Sequence, residues 1–166
     1  MITLKPIAAN AENFRPFGIL YELGENGGPE DGIRSAGDGY IDAYTKAPLI
    51  DRPGNLGMTQ AAAAPRIIEK MERHLHTREA LLCAGAPLAF LAAPEGGESP
   101  EVRDVKAFAL RPGQVAVFCR GVWHSAALGL NAPVSYYWLA EAYDGEPTAW
   151  KEIAGGPVQL DSPAEG

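Results

Sequence analysis

Two stretches, Glu72-Arg73-His74-Leu75-His76-Thr77-Arg78-Glu79 and Cys119-Arg120-Gly121-Val122-Trp123-His124, hold all three histidines of a 166-residue chain. Neutral imidazole nitrogens and carboxylate oxygens are ligands for a divalent ion, and an imidazole also gains and loses a proton near neutral pH. If the first stretch is a strand, Glu72, His74 and His76 project to one face and both imidazoles reach the same ion. If it is a helix, His74 and His76 point about 200° apart. The segment RIIEKMERHLHTREALL (residues 66–82) fits either period. Its β-branched Ile67 and Ile68, following Pro65, favour a strand over residues 66–74, with a helix over 66–79 as the competing reading. The candidate ligand set is His74, His76 and Glu79, completed by His124 from the second stretch.

Other side chains near these stretches suggest how an anionic substrate is held. Arg73, Arg78, Lys106 and Arg120 can grip a carboxylate through paired hydrogen bonds. Trp123 either lines an apolar pocket beside His124 or belongs to the core. Cys119 and His124 stand five residues apart across a turn, but no third residue orients them, so a thiol nucleophile is not the preferred reading. Tyr136, Tyr137 and Trp138 lie in one strand, so one face enters a barrel and the other meets solvent or a partner subunit.

The elements that must position these groups are short strands. Gly (19) and Pro (14) are plentiful and scattered, which favours many turns over long helices. Apolar runs predict strands over 2–7, 19–23, 39–44, 56–64, 66–74, 80–83, 88–93, 102–110, 115–118, 126–130 and 134–140. Asn10 caps a helical turn through Phe14 that Pro16 and Gly18 end. Residues 24–39, rich in Gly, Asp and Glu, read as a surface loop and a candidate lid. The tail from Asp144 reads as a helical turn around Trp150 that then frays. Regular turn spacing makes this an all-β sandwich or barrel with one or two short peripheral helices.

The net charge of −7 leaves no basic face for nucleic acid or an anionic membrane. No apolar run is long enough to span a bilayer, and Met1 to Pro6 does not read as a signal peptide. Cys83 and Cys119 lack paired spacing, so reduced thiols and a cytoplasmic protein are expected.

The two stretches resemble the two sequence motifs of the cupin superfamily. Pro112-Gly113-Gln114 and the run from Cys119 to His124 match the second motif, with Cys119 at its proline position. More narrowly, the chain is similar to the ureidoglycolate lyase family. Glu72-Arg73-His74, Lys106-Ala107-Phe108 and Gly121-Val122-Trp123-His124 carry that likeness, with Phe14, Phe17-Gly18 and Glu22 in the opening segment. The likeness implies one cupin domain over residues 1–166, a double-stranded β-helix (jelly-roll barrel), with 144–166 as a peripheral C-terminal tail. It implies a lyase cleaving ureidoglycolate to glyoxylate and urea in allantoin breakdown. His74, His124 and Glu79 would do the catalysis, with Glu72, Lys106, Arg120 and Trp123 at the substrate. A divalent ion on His74, His76, Glu79 and His124 is expected, with no organic cofactor, a small carboxylate substrate and a homodimer. The chain departs from the family pattern at Glu79 (Gln), Val117 (Asn) and Ser125-Ala126 (His-Pro), and residues 56–63 lack its usual Arg. These departures keep two alternatives open: a diverged metal-binding cupin acting on another small hydroxy acid, sugar or amide, and a non-catalytic small-molecule-binding cupin.

Overall fold

The computed structural model describes residues 1–142 and 150–162. In chain order the elements begin with β1 (Ile2–Leu4), β2 (Ile7–Ala8), α1 (Ala11–Phe14), β3 (Gly18–Glu22), β4 (Ile33–Gly37), β5 (Tyr40–Tyr44) and β6 (Asn55–Ala61). They continue with β7 (Arg66–Ile68), β8 (Lys70–Met71), β9 (Glu79–Leu82), β10 (Leu88–Ala93), β11 (Lys106–Leu110) and β12 (Gln114–Phe118). The last are β13 (Trp123–His124), β14 (Leu128–Gly129), β15 (Val134–Ala140), β16 (Lys151–Glu152) and β17 (Val158–Leu160). Among the described residues no helix is long and apolar enough to cross a membrane.

Two sheets make the barrel. One has the order β3-β12-β9-β15-β6, and the other the order β13-β10-β11-β2 with β14 also on β10. Their inner faces enclose Phe90, Phe108, Phe118, Leu81 and Leu88, and α1 plugs Phe14 into the same cluster. Asn10 makes this four-residue helix possible, because its side chain accepts from the Glu12 and Asn13 amides. Strand β10 is buried along its whole length, which is why LAFLAA reads as a continuous apolar run. Leu88, Phe90 and Ala92 face the barrel, while Ala89, Leu91 and Ala93 face a second core under the small sheet β1-β17-β7. This nearly all-β architecture is that of a cupin.

The structure corrects several sequence expectations. The 24–39 segment contains β4, which forms a hairpin with β5, and its base is pinned. Asp31 accepts from the Glu22 and Gly28 amides, and Arg34 donates to the Leu23 and Glu22 carbonyls. The helix over 66–79 does not form. The strand over 66–74 is broken because its pieces pair with three partners: β7 with β17, β8 with β16, and Glu72 with His124. The strand over 102–110 opens as a 3₁₀ turn at Val102–Asp104. Among the described residues, 150–162 of the tail do not fray. Ile153 donates to the Glu69 carbonyl, and β17 adds in parallel to β1 with Val158 and Leu160 fully buried. The helical turn expected around Trp150 falls mostly on residues 143–149, outside the described residues; Trp150 itself is not helical.

Because β17 fills the second core, Leu160→Ala should cost about 2–5 kcal/mol of stability. A urea or thermal unfolding curve would check this, with a dispensable tail predicting no change.

Candidate metal centre and active site

The two histidine stretches are hydrogen-bonded to each other. Glu72 and His124 exchange both backbone bonds, Glu72 N–H to His124 O at 2.8 Å and His124 N–H to Glu72 O at 2.9 Å. Gly121, at φ 79, donates to the His74 carbonyl at 2.8 Å. This positive φ is easy for glycine and strained for a residue with a Cβ. Residues directly opposite in an antiparallel pair put their side chains on one face, and alternation adds His74 to that face. Glu79 arrives from β9, opposite Phe118 on one side and Ala140 on the other. Ligand atoms of Glu72, His74, Glu79 and His124 thus lie within 4.8 Å of one another. Glu72, His74 and Glu79 line a cavity of about 610 Å³, and His124 is buried behind them.

Among the expected ligands, His74, Glu79 and His124 come together, and Glu72 completes the four. His76 stands apart. The chain bends at Leu75 and His76, so the His76 ring turns to the rim, where Nε2 donates to the Glu141 carbonyl at 2.9 Å. Of Glu72, Lys106, Arg120 and Trp123, Glu72 alone joins the cavity wall. Trp123 is 1 % exposed and faces the second core, one residue out of phase with His124. Lys106 is solvent-exposed on β11, and Arg120 is paired with Asp51 at 2.8 Å. Neither lines the cavity, and Arg78 does not either. Arg73 reaches its edge, but its guanidinium lies 4.3 Å over the Trp123 ring.

One wall residue, Phe118, escaped the sequence reading. Phe118 stacks on His124 with ring centroids 4.4 Å apart and planes 9° apart. Tyr136 and Trp138 face inward while Tyr137 faces out, as alternation in β15 requires, so the signal for them was present. The Tyr136 hydroxyl accepts from the Ala127 amide at 3.0 Å. Ser125 lines the cavity, but its Oγ is a backbone tie, accepting from Leu91 N–H and donating to the Ala126 carbonyl.

Electrostatics prepare this centre for a cation. Burial, and then the Glu79 carboxylate, push the Glu72 carboxyl up to about 7. For Glu79 burial acts upward, but attraction to His124 and the hydrogen bond and charge of His74 carry it below the ordinary range. Its Oε2 lies 2.9 Å from His74 Nε2. Burial lowers His124 despite Glu79, keeping it in the neutral, metal-binding form. Two carboxylates and two imidazoles suit a first-row divalent ion. The residues present fit such an ion.

The barrel and its centre of two glutamates and two histidines define a cupin. A family model for ureidoglycolate lyase matches residues 1–154. A ureidoglycolate lyase of Burkholderia cepacia is 30% identical over 129 residues, covering 73% of this chain and 70% of the relative. The chain belongs to the ureidoglycolate lyase family.

A metal ion must displace the proton of Glu72. Protonation of that carboxyl in the free protein rises as pH falls through about 7. Apparent affinity should therefore fall with falling pH, approaching tenfold per unit below that point. Calorimetric titration of Co²⁺ at pH 6 and pH 8 checks this; equal affinities would remove Glu72 from the ligand set.

Proposed function

We infer that this protein is a lyase that cleaves ureidoglycolate to glyoxylate and urea, with a divalent ion at the Glu72, His74, Glu79 and His124 centre. The observation that carries this reading is that the two segments bearing the family likeness build that centre. In the reaction the carbinol hydroxyl loses its proton and its oxygen closes to the aldehyde carbonyl. The carbon–nitrogen bond breaks toward nitrogen, and the departing urea takes up a proton. When bound, a divalent ion would lower the pKa of the hydroxyl and neutralise the substrate carboxylate.

The chain's own residues supply the rest. Glu79 orients the His74 ring through its 2.9 Å contact, which fixes His74 as a ligand. Glu72, raised to about 7 in the metal-free centre, gives up its proton when an ion binds and would then serve as a ligand. The described wall carries the carboxylates of Glu72, Glu79 and Glu141, and its one permanently cationic side chain, Arg73, is turned onto Trp123. An anionic substrate is repelled by such a wall unless a cation is added, which supports the metal.

Racemic ureidoglycolate should yield equimolar glyoxylate and urea. A chelator should abolish turnover, and added divalent ion should restore it. His124→Ala should lower kcat/KM at least about 100-fold. A folded, metal-loaded protein that releases neither product sinks the reading. A second reading is a cupin acting on a larger hydroxy acid or amide. It is favoured by the cavity of about 610 Å³, walled in part by Trp138, Trp150 and Leu75, which is of a size that takes drug-sized ligands. Turnover of such a compound without ureidoglycolate cleavage would select it.

A further inference from the structure

The strand pair that carries the centre has an opposite face. There Arg73 and Trp123, each one residue out of phase with the ligands, meet: the Arg73 guanidinium carbon lies 4.3 Å from the indole centroid. Both are tied to the same loop. Trp123 Nε1 donates to the Gly96 carbonyl at 3.0 Å. Arg73 Nη1 donates to the Gly97 carbonyl at 2.9 Å and to the Gly96 carbonyl at 3.4 Å. Gly96 and Gly97 have φ of 122 and 62, a backbone that turns adjacent carbonyls toward these donors and that L side chains rarely adopt.

We propose that Arg73, Trp123 and the Gly96–Gly97 carbonyls form a clasp that positions Glu72, His74 and His124 as ligands. Arg73 and Trp123 are positioning residues and touch no reacting atom. The clasp rests on the metal-centre reading, but its geometry is independent of any ion. The cation over the indole face and the hydrogen bonds to the two carbonyls act together. The clasp spans residues that are separate in sequence: Arg73 lies between two ligands of the first stretch, and Trp123 immediately precedes the ligand of the second. Holding them together resists separation of the pair and rotation of Glu72 and His74 out of register. Such supporting contacts typically govern metal affinity by 10- to 100-fold.

Two measurements test it on the full chain. The first is hydrogen exchange at the Glu72, His124 and Gly121 amides, which needs no metal. In Arg73→Ala these three should exchange at least about tenfold faster, while the β12 amides, on the far sheet, stay unchanged. Arg73→Lys, which keeps the cation, should recover most of the protection. The second is Co²⁺ binding read by the visible spectrum. Arg73→Ala should weaken affinity about 10- to 100-fold and alter the band pattern, with partial recovery in Arg73→Lys. Trp123→Phe, which keeps the aromatic face but loses the Nε1 bond, should fall between them. Unchanged exchange at the three amides in Arg73→Ala overturns the clasp. If the native protein binds no Co²⁺ while the exchange effect appears, the metal reading fails and the clasp stands. Uniform acceleration of all amides would mean global loss of stability and also overturn it.

Discussion

The functional centre depends on one backbone pairing, the double exchange between Glu72 and His124. It brings two segments distant in sequence into one antiparallel pair and fixes which side chains face the cavity. A slip of one residue would carry Glu72 into the second core and Arg73 into the cavity, because side chains alternate. Both outer edges of the pair are also held. His124 is bonded into β10 opposite Ala92, and the strand before Glu72 is bonded to β16 opposite Lys151. The C-terminal strands, far from the centre in sequence, therefore belong to its support.

Charge is the second constraint. Two carboxylates and a fully buried imidazole crowd one end of the cavity, and each loses hydration there. His74 relieves Glu79, which leaves Glu72 to respond to burial and to its neighbour by holding its proton. A carboxyl protonated near neutral pH is the expected outcome of two acids placed together with one imidazole partner between them. The same arrangement explains why a cation would stabilise the centre more than it would an ordinary polar surface. The energy lost in burying these groups is recovered only when positive charge enters among them.

Much of this is legible in the sequence. The strand periodicity, the Asn10 cap and the shared face of Glu72 and His74 follow from residue types and alternation, with Glu79 and His124 expected beside His74. What was not legible has a common cause: partner choice. Whether His76 shares a face with His74 depends on where a strand stops, and that is decided by β16 and β13, which pair only through the tertiary fold. Trp123 was ambiguous between wall and core because its face is set by the register of Glu72 against His124. Lys106 and Arg120 looked like carboxylate grips because sequence shows charge but not direction; one is exposed and the other bonds Asp51. The strands β4, β16 and β17 are too short and too polar at their flanks to announce themselves, and they exist because an edge was waiting for them.

The departures from the family pattern divide in the same way. Val117 packs with Ala80 and Val115 on the outer face of its sheet, so the loss of an Asn there concerns packing and leaves the chemistry alone. Ser125 carries a hydroxyl committed to Leu91 and Ala126, so it adds no group to the cluster. Glu79 differs from both, because it sits within bonding distance of His74 inside the cluster. A carboxylate there accepts a charge-assisted bond that an amide would make only as a neutral partner. It also raises its neighbour Glu72, as an uncharged Gln could not. With both acids ionised and both imidazoles neutral, the four ligands carry two negative charges, and a divalent ion brings the centre to neutrality. The substitution that looks least favourable to an anionic substrate is therefore the one that makes a bound cation most favourable.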